Sequence, residues 1–164
     1  SRIRSGRTHP RISALFSIAG KDMIKASARD FGFAIGPRIN AAGRIGTMEN
    51  GIECLLCDDP LEALRLAQSL NDINAERREL EGEMQQAAEA EIARLSTESL
   101  AAVTLFNECF NEGVVGLVAA RIKEHIHRPV IAFARTESGE LKARALDTRD
   151  SPARHARPCR QAAP

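Results

Sequence analysis

Apolar positions in the first third of the chain recur without a sustained period. Ile3, Ile12, Leu15, Phe16, Ile18 and Ala19 predict one or two short helices interrupted at residues 8–10. In the run FGFAIGPR, Gly32, Gly36 and Pro37 argue against a helix, so the chain is expected to be extended or turning there. The signal sharpens at Asp59, an N-cap candidate followed by Pro60 at the first helical position and Glu62 in a capping-box pattern. Leu66, Leu70, Ile73, Leu80, Met84, Ala87 and Ile92 then follow a four-three spacing with Arg77 as the one charged interruption, which predicts a long amphipathic helix running to Leu95. Such a helix spans roughly 50 Å, more than one compact lobe needs, and is expected to connect two lobes; a free-standing coiled coil is the competing reading.

Beyond Ser96 the period changes. AAVTLF reads as a buried strand, NECFNEG as a tight loop, VVGLVAARIKEHI as a helix and VIAFA, after Pro129, as a second buried strand. Ser138 and Gly139 supply a turn, and ELKARAL is expected to begin a third strand paired with the second. The expected fold class is α/β: a helical region with a long connecting helix, then the start of a small βαβ lobe.

With 43% apolar residues in 164, the chain can build one ordinary domain or two small lobes. Neither a charged-then-apolar leader nor a long apolar run is present, so a cytoplasmic protein without a membrane segment is expected. Cys54, Cys57, Cys109 and Cys159 read as reduced thiols. The CxxC pair at Cys54 and Cys57 lacks a second pair at zinc-ligand spacing, and with Leu55 and Leu56 it reads as buried helical packing. After Asp150 the chain holds three of its seven prolines, interleaved with arginine and alanine, and is expected to be disordered.

Charge changes the picture more than composition does. Residues 1–49 carry nine Lys or Arg against three acidic residues, whereas residues 60–95 carry eight acidic against four basic. The first segment can face phosphates and the second would be repelled by them, although both can equally be solvated faces. Within the basic segment, GPRINAAGR at residues 36–44 joins Gly36 and Gly43 to the guanidinium forks of Arg38 and Arg44 and the amide of Asn40, a set able to bind phosphate. A turn with solvated arginines is the simpler reading of that set. Asn111, Gly113 and Gly116 stand where a strand gives way to a helix, and amides at a helix start favour an anion; close packing explains the glycines equally well. His9, His125, His127 and His155 are scattered, and the close acidic pair Asp58 and Asp59 is used by a helix start, so no metal site is expected in this chain.

Taken in order, RIRSGR with LFSIAGKD, DFGFAIGPRINAAGR, LLCDDPLEALRLAQSLNDINAERRELE and EGVVGLVAARIKEHIHRPVIAFA resemble the RecJ branch of the DHH phosphoesterase superfamily over residues 2–142. The resemblance implies an interior piece of a two-lobed, metal-dependent exonuclease that degrades single-stranded DNA from the 5′ end in recombination and repair, with repair or recombination proteins as unidentified partners. It implies manganese or magnesium in the intact enzyme and none bound by this piece, because the family's metal-binding aspartates belong upstream of Arg2; the piece alone is then expected to be inactive. It also implies that residues 1–58 form the edge of the DHH lobe, 59–95 the connecting helix and 100–142 part of the DHH-associated domain. Arg44 and Asn40 would lie beside the scissile phosphate, and residues 111–116 would face the groove.

Two departures stand out. Phe110 and Asn111 replace the family's Trp-His, which removes an imidazole. After Lys142 the family pattern stops, so residues 143–164 are expected to be disordered or read out of frame. A non-catalytic helical interaction or nucleic-acid-binding module, and a related DHH phosphoesterase acting on small oligonucleotides, remain as alternatives.

Overall fold

A computed structural model describes residues 3–5, 7–95 and 100–148, and the chain divides into two units, Ser1–Leu80 and Glu81–Pro164. In the first unit, Pro10 opens helix α1 (Pro10–Ile18), where its missing N–H costs nothing. The helix closes at Gly20, whose φ of 65° is a left-handed conformation that glycine adopts freely, with Lys21 N–H donating to Phe16 O at 2.9 Å. A 3-10 turn at Met23–Lys25 follows, and then the three-residue helix α2 (Ala28–Asp30). The Asp30 carboxylate accepts from Ser27 Oγ at 2.7 Å and Ser27 N at 2.9 Å, and these bonds hold its pKa below the usual aspartate value.

The expectation of an extended FGFAIGPR is overturned. Phe31–Ile35 is a π-helical stretch that runs directly into α3 (Gly36–Ile45), so the whole GPRINAAGR segment is helical. The wide turn explains how. In a regular helix the Pro37 ring would meet the carbonyl one turn earlier, whereas π geometry lets Gly36 N–H donate five residues back to Phe31 O and opens that space. Gly36 suits the junction because a Cβ there would lie 3.1 Å from Phe31 O.

Helix α4 (Met48–Leu56) follows and buries Cys54 and Gly51. Leu55 and Leu56 are exposed, Leu56 at 72%, contrary to the buried reading of that segment. An apolar pair in sequence cannot share one face of a helix, and Cys54 has taken the inward position. Burial pushes the Cys54 thiol pKa up, as expected of an inert packing residue.

Helix α5 (Pro60–Ile92) starts as its sequence predicts, with Asp59 Oδ1 accepting from Glu62 N at 2.8 Å. The second half of the capping box is replaced by a pair between Glu62 and Arg65. The helix ends at Ile92, one turn short of the expected Leu95. Ala63, Leu66, Ala67 and Leu70 from about its first three turns join Leu15, Phe16, Ile35 and Ala42 in one core.

In the second unit, β1 (Val103–Phe106), α6 (Val115–Ile126), β2 (Val130–Arg135) and β3 (Leu141–Leu146) follow in the predicted order. β2 is central, parallel to β1 with Val103 opposite Val130, and antiparallel to β3 with Val130 opposite Leu146. Val130, Ala132 and Ala134 turn one face of β2 inward, and α6 contributes Val115, Val118, Ala119 and Ile122. Gly139, at φ 83°, turns the hairpin between β2 and β3. β3 is an exposed edge carrying Lys142 and Arg144, charges that discourage pairing with a further strand. The mostly helical chain with a small mixed sheet matches the α/β expectation. Of residues 143–164, expected to be disordered or out of frame, residues 143–146 are instead ordered by pairing with β2 in β3, and residues 149–164 lie outside the described residues. No helix among the described residues is long and apolar enough to cross a membrane.

Gly82 sits inside α5 with nothing within 4 Å of a Cβ placed on it. Gly82→Ala is therefore expected to stabilise the chain by about 1 kcal/mol, read as a higher urea midpoint at unchanged m-value. A lower midpoint would mean that the position is more crowded than it stands here.

Candidate nucleic-acid interface

Helix α3 sorts its polar residues onto two faces. Ala41 and Ala42 are fully buried and fix the helix in the first unit. Asn40 and Arg44, four residues apart, share an exposed face. Arg38 lies about 120° around the axis from Arg44 and is half-buried. Its Nε donates to Asn71 Oδ1 of α5 at 3.1 Å and its Nη1 to Ala34 O at 2.6 Å. Burial first, and the nearby positive charge of Arg78 second, lower the Arg38 pKa from its ordinary value, which still leaves it charged at neutral pH. The structure therefore holds Arg38 away from the exposed pair rather than in one cluster with it.

At Gly43 the surroundings place little demand for glycine, because the nearest obstacle can move aside. A Cβ there would fall 2.8 Å from Met48 Cε, the far end of a flexible side chain. Arg44 occupies the last turn of α3, where a cation complements the helix dipole.

Asn111, Gly113 and Gly116 belong to the second unit. Asn111 shapes the start of α6: its Oδ1 accepts from Gly113 N at 2.8 Å, and its carbonyl accepts from Val114 N at 3.1 Å and Val115 N at 2.9 Å. The Gly113 amide is thus engaged within its own loop. Phe110 is buried, and the Asn111 amide N–H reaches Met84 Sδ at 3.4 Å. At Gly116 a Cβ would make ordinary contact with the Arg144 side chain, 3.6 Å from its Cγ.

Both units pair cations with carboxylates. In the second, Arg121 pairs with the buried Glu81 at 2.7 Å, Arg135 with Glu108 at 3.1 Å and Lys142 with Glu112 at 3.0 Å. In the first, Arg11 pairs with Asp58 and Arg65 with Glu62, whereas Arg38 binds a neutral amide and a carbonyl and meets no carboxylate among the described residues. An open groove of about 740 Å³ in the same unit is lined by Leu61, Leu64, Asp72, Ile73 and Glu76, and the arginine in its lining, Arg65, is paired with Glu62, so the wall is poorly suited to phosphate.

Among the described residues no three of His, Cys, Asp or Glu converge to hold a metal ion, so these residues do not fit a divalent metal centre. The sequence singles out Arg38, Asn40 and Arg44 but not Asn71, which is bonded to Arg38, or Arg78, whose charge acts on it. The available signal was their spacing: seven residues is close to two turns, which puts both on one face of α5.

No family model matches the sequence. The chain is 46% identical over 145 residues to the single-stranded-DNA-specific exonuclease RecJ of Escherichia coli, a match covering 87% of this chain and 25% of that protein. A crystal structure of exonuclease RecJ bound to manganese is 33% identical with a TM-score of 0.72, covering 88% of this chain and 35% of that one. RecJ from Thermus thermophilus in complex with Mg2+ is 31% identical with a TM-score of 0.71, covering 88% and 22%. The chain spans about a quarter of the length of the curated relatives it matches.

Proposed function

The chain belongs to the RecJ family, and we propose that it forms an interior segment of a metal-dependent exonuclease that degrades single-stranded DNA from the 5′ end during recombination and repair. In this reading residues 1–58 are the edge of the DHH lobe, 59–95 the connecting helix and 100–142 part of the DHH-associated domain. The metal ions are held by residues outside this chain, which alone does not cleave DNA. What this chain contributes is phosphate binding. Arg44 and Asn40 lie beside the scissile phosphate, Arg38 takes a neighbouring one, and residues 111–116 face the bound strand.

The observation that carries the reading is the geometry of Arg38, braced by Asn71 and Ala34 with no carboxylate among the described residues to neutralise it. A guanidinium fixed in this way loses little freedom on meeting a phosphate, and its remaining donors suit a phosphate oxygen. Developing negative charge on a phosphoryl group undergoing attack is stabilised by donors already in place.

Binding of a fluorescent single-stranded oligonucleotide across a salt series tests this. Two to three phosphate contacts predict a log-log slope of about −1.4 to −2. A salt-independent affinity, or one unchanged when Arg38 and Arg44 are both replaced by Ala, would remove the phosphate role.

One observation favours a second reading. Leu56, Leu61 and Leu64 are exposed near the start of α5, as they would be in a non-catalytic module that docks or dimerises through apolar contacts. A discrete concentration-dependent dimer in sedimentation, without DNA binding, would support that reading instead.

A further inference from the structure

We propose that Arg78 and Asn71 of α5 complete, with Arg38 of α3, one two-armed site for a backbone phosphate of single-stranded DNA, in which Asn71 sets the first arm and Arg78 supplies the second. The inference rests on the reading that this unit binds single-stranded DNA through Arg38, and adds to it a residue outside the GPRINAAGR segment.

Asn71 and Arg78 are separated by nearly two turns, about 10 Å along one face of α5, and Asn71 is bonded to Arg38. Long arginine side chains from the two helices can converge over that distance. Asn74, between them on the same face, is buried and accepts from Arg77, so Arg77 is drawn to a structural role while Arg78 is exposed. Asp72 and Glu76 of α5 line the groove on another face, Asp72 is bonded to Gln68, and Glu81, one turn beyond Arg78, is buried and engaged by Arg121. The positive charge of Arg78 is felt at Arg38, where it opposes the guanidinium charge. Two like charges brought together beside a partly buried position, where Arg38 meets no carboxylate among the described residues, are unfavourable in the free protein. They become favourable when an anion bridges them. A phosphodiester carries one negative charge and two free oxygens, enough to accept from one fork on each side.

The test is a double-mutant cycle on the full chain, read by single-stranded oligonucleotide binding over the salt series, with Arg78→Ala, Arg78→Lys, Arg38→Ala and the double alanine variant. Arg78→Ala is expected to weaken binding three- to tenfold at low salt and to flatten the log-log slope by about 0.7, the share of one contact. Arg78→Lys keeps the charge and is expected to restore the slope while recovering only part of the affinity. Because both arms hold one phosphate, the double variant is expected to lose less than the product of the two single losses. The thermal midpoint should not move with Arg78→Ala, since the side chain is exposed. If Arg38→Ala weakens binding but Arg78→Ala leaves affinity and slope unchanged, or if the two losses simply multiply, the shared site is wrong and the phosphate reading of α3 survives. If the unaltered chain shows no salt-dependent binding, both fall together.

Discussion

Arg44→Ala, introduced into Escherichia coli RecJ carrying the 145 aligned residues of this chain in place of its own, is expected to lower kcat/KM on single-stranded DNA by about 10²–10³ relative to the graft with Arg44 intact. The size follows from position and charge. Arg44 stands on the exposed face of α3 next to Asn40, and under the proposed function its fork meets the phosphate at which charge develops. A donor acting mainly on that developing charge affects kcat more than KM, so the loss should persist at saturating substrate. Because the side chain is exposed, the graft should keep its thermal midpoint, which separates lost chemistry from lost folding. Arg44→Lys retains the charge but not the planar fork and should fall between the two. A loss of less than threefold would place Arg44 away from the reacting phosphate.

Phe16→Ala carries the largest expected effect on stability. Phe16 is fully buried and meets Phe31 edge to face, with ring centroids 5.3 Å apart. Removing it leaves a cavity among Leu15, Leu70 and the α3 residue Ala42, which share its core. A loss of about 3–5 kcal/mol is expected. That is a large part of what a unit of this size has in reserve, so Phe16→Ala should show markedly faster amide exchange across α1 and α3. It should also abolish DNA binding, because α3 loses its support. Exchange unchanged in α3 would mean that this helix is held independently of the core formed by α1.

Much of the fold was legible because single residues with one strong preference sat at element boundaries. Asp59 and Pro60 fix the start of α5 by capping and by a ring that suits a first turn, and Pro129 with Gly139 brackets β2 and its hairpin. The misreading of FGFAIGPR has the opposite origin. Gly32, Gly36 and Pro37 each disfavour a regular helix, and only a widened turn reconciles them, a solution that depends on the path of several residues together. The exposure of Leu55 and Leu56 is not legible from apolar character alone, because the axis of α4 decides which neighbour points inward.

The candidate site was half visible. Arg38, Asn40 and Arg44 stand in one short motif, but their division between two faces follows from a helix that Gly36 and Pro37 disfavour. Asn71 and Arg78 are ordinary polar positions in a long amphipathic helix until α3 packs beside them.

The central claim is that this chain is an interior segment of a single-stranded-DNA exonuclease, and the graft without any substitution tests it most directly. With Mg2+ or Mn2+ present, the hybrid is expected to release nucleotides from 5′-accessible single-stranded DNA, with Asn111→His raising the rate if the imidazole contributes. A hybrid that melts cooperatively near the temperature of the parent enzyme yet releases no nucleotides, with Asn111 or with His at that position, would contradict it.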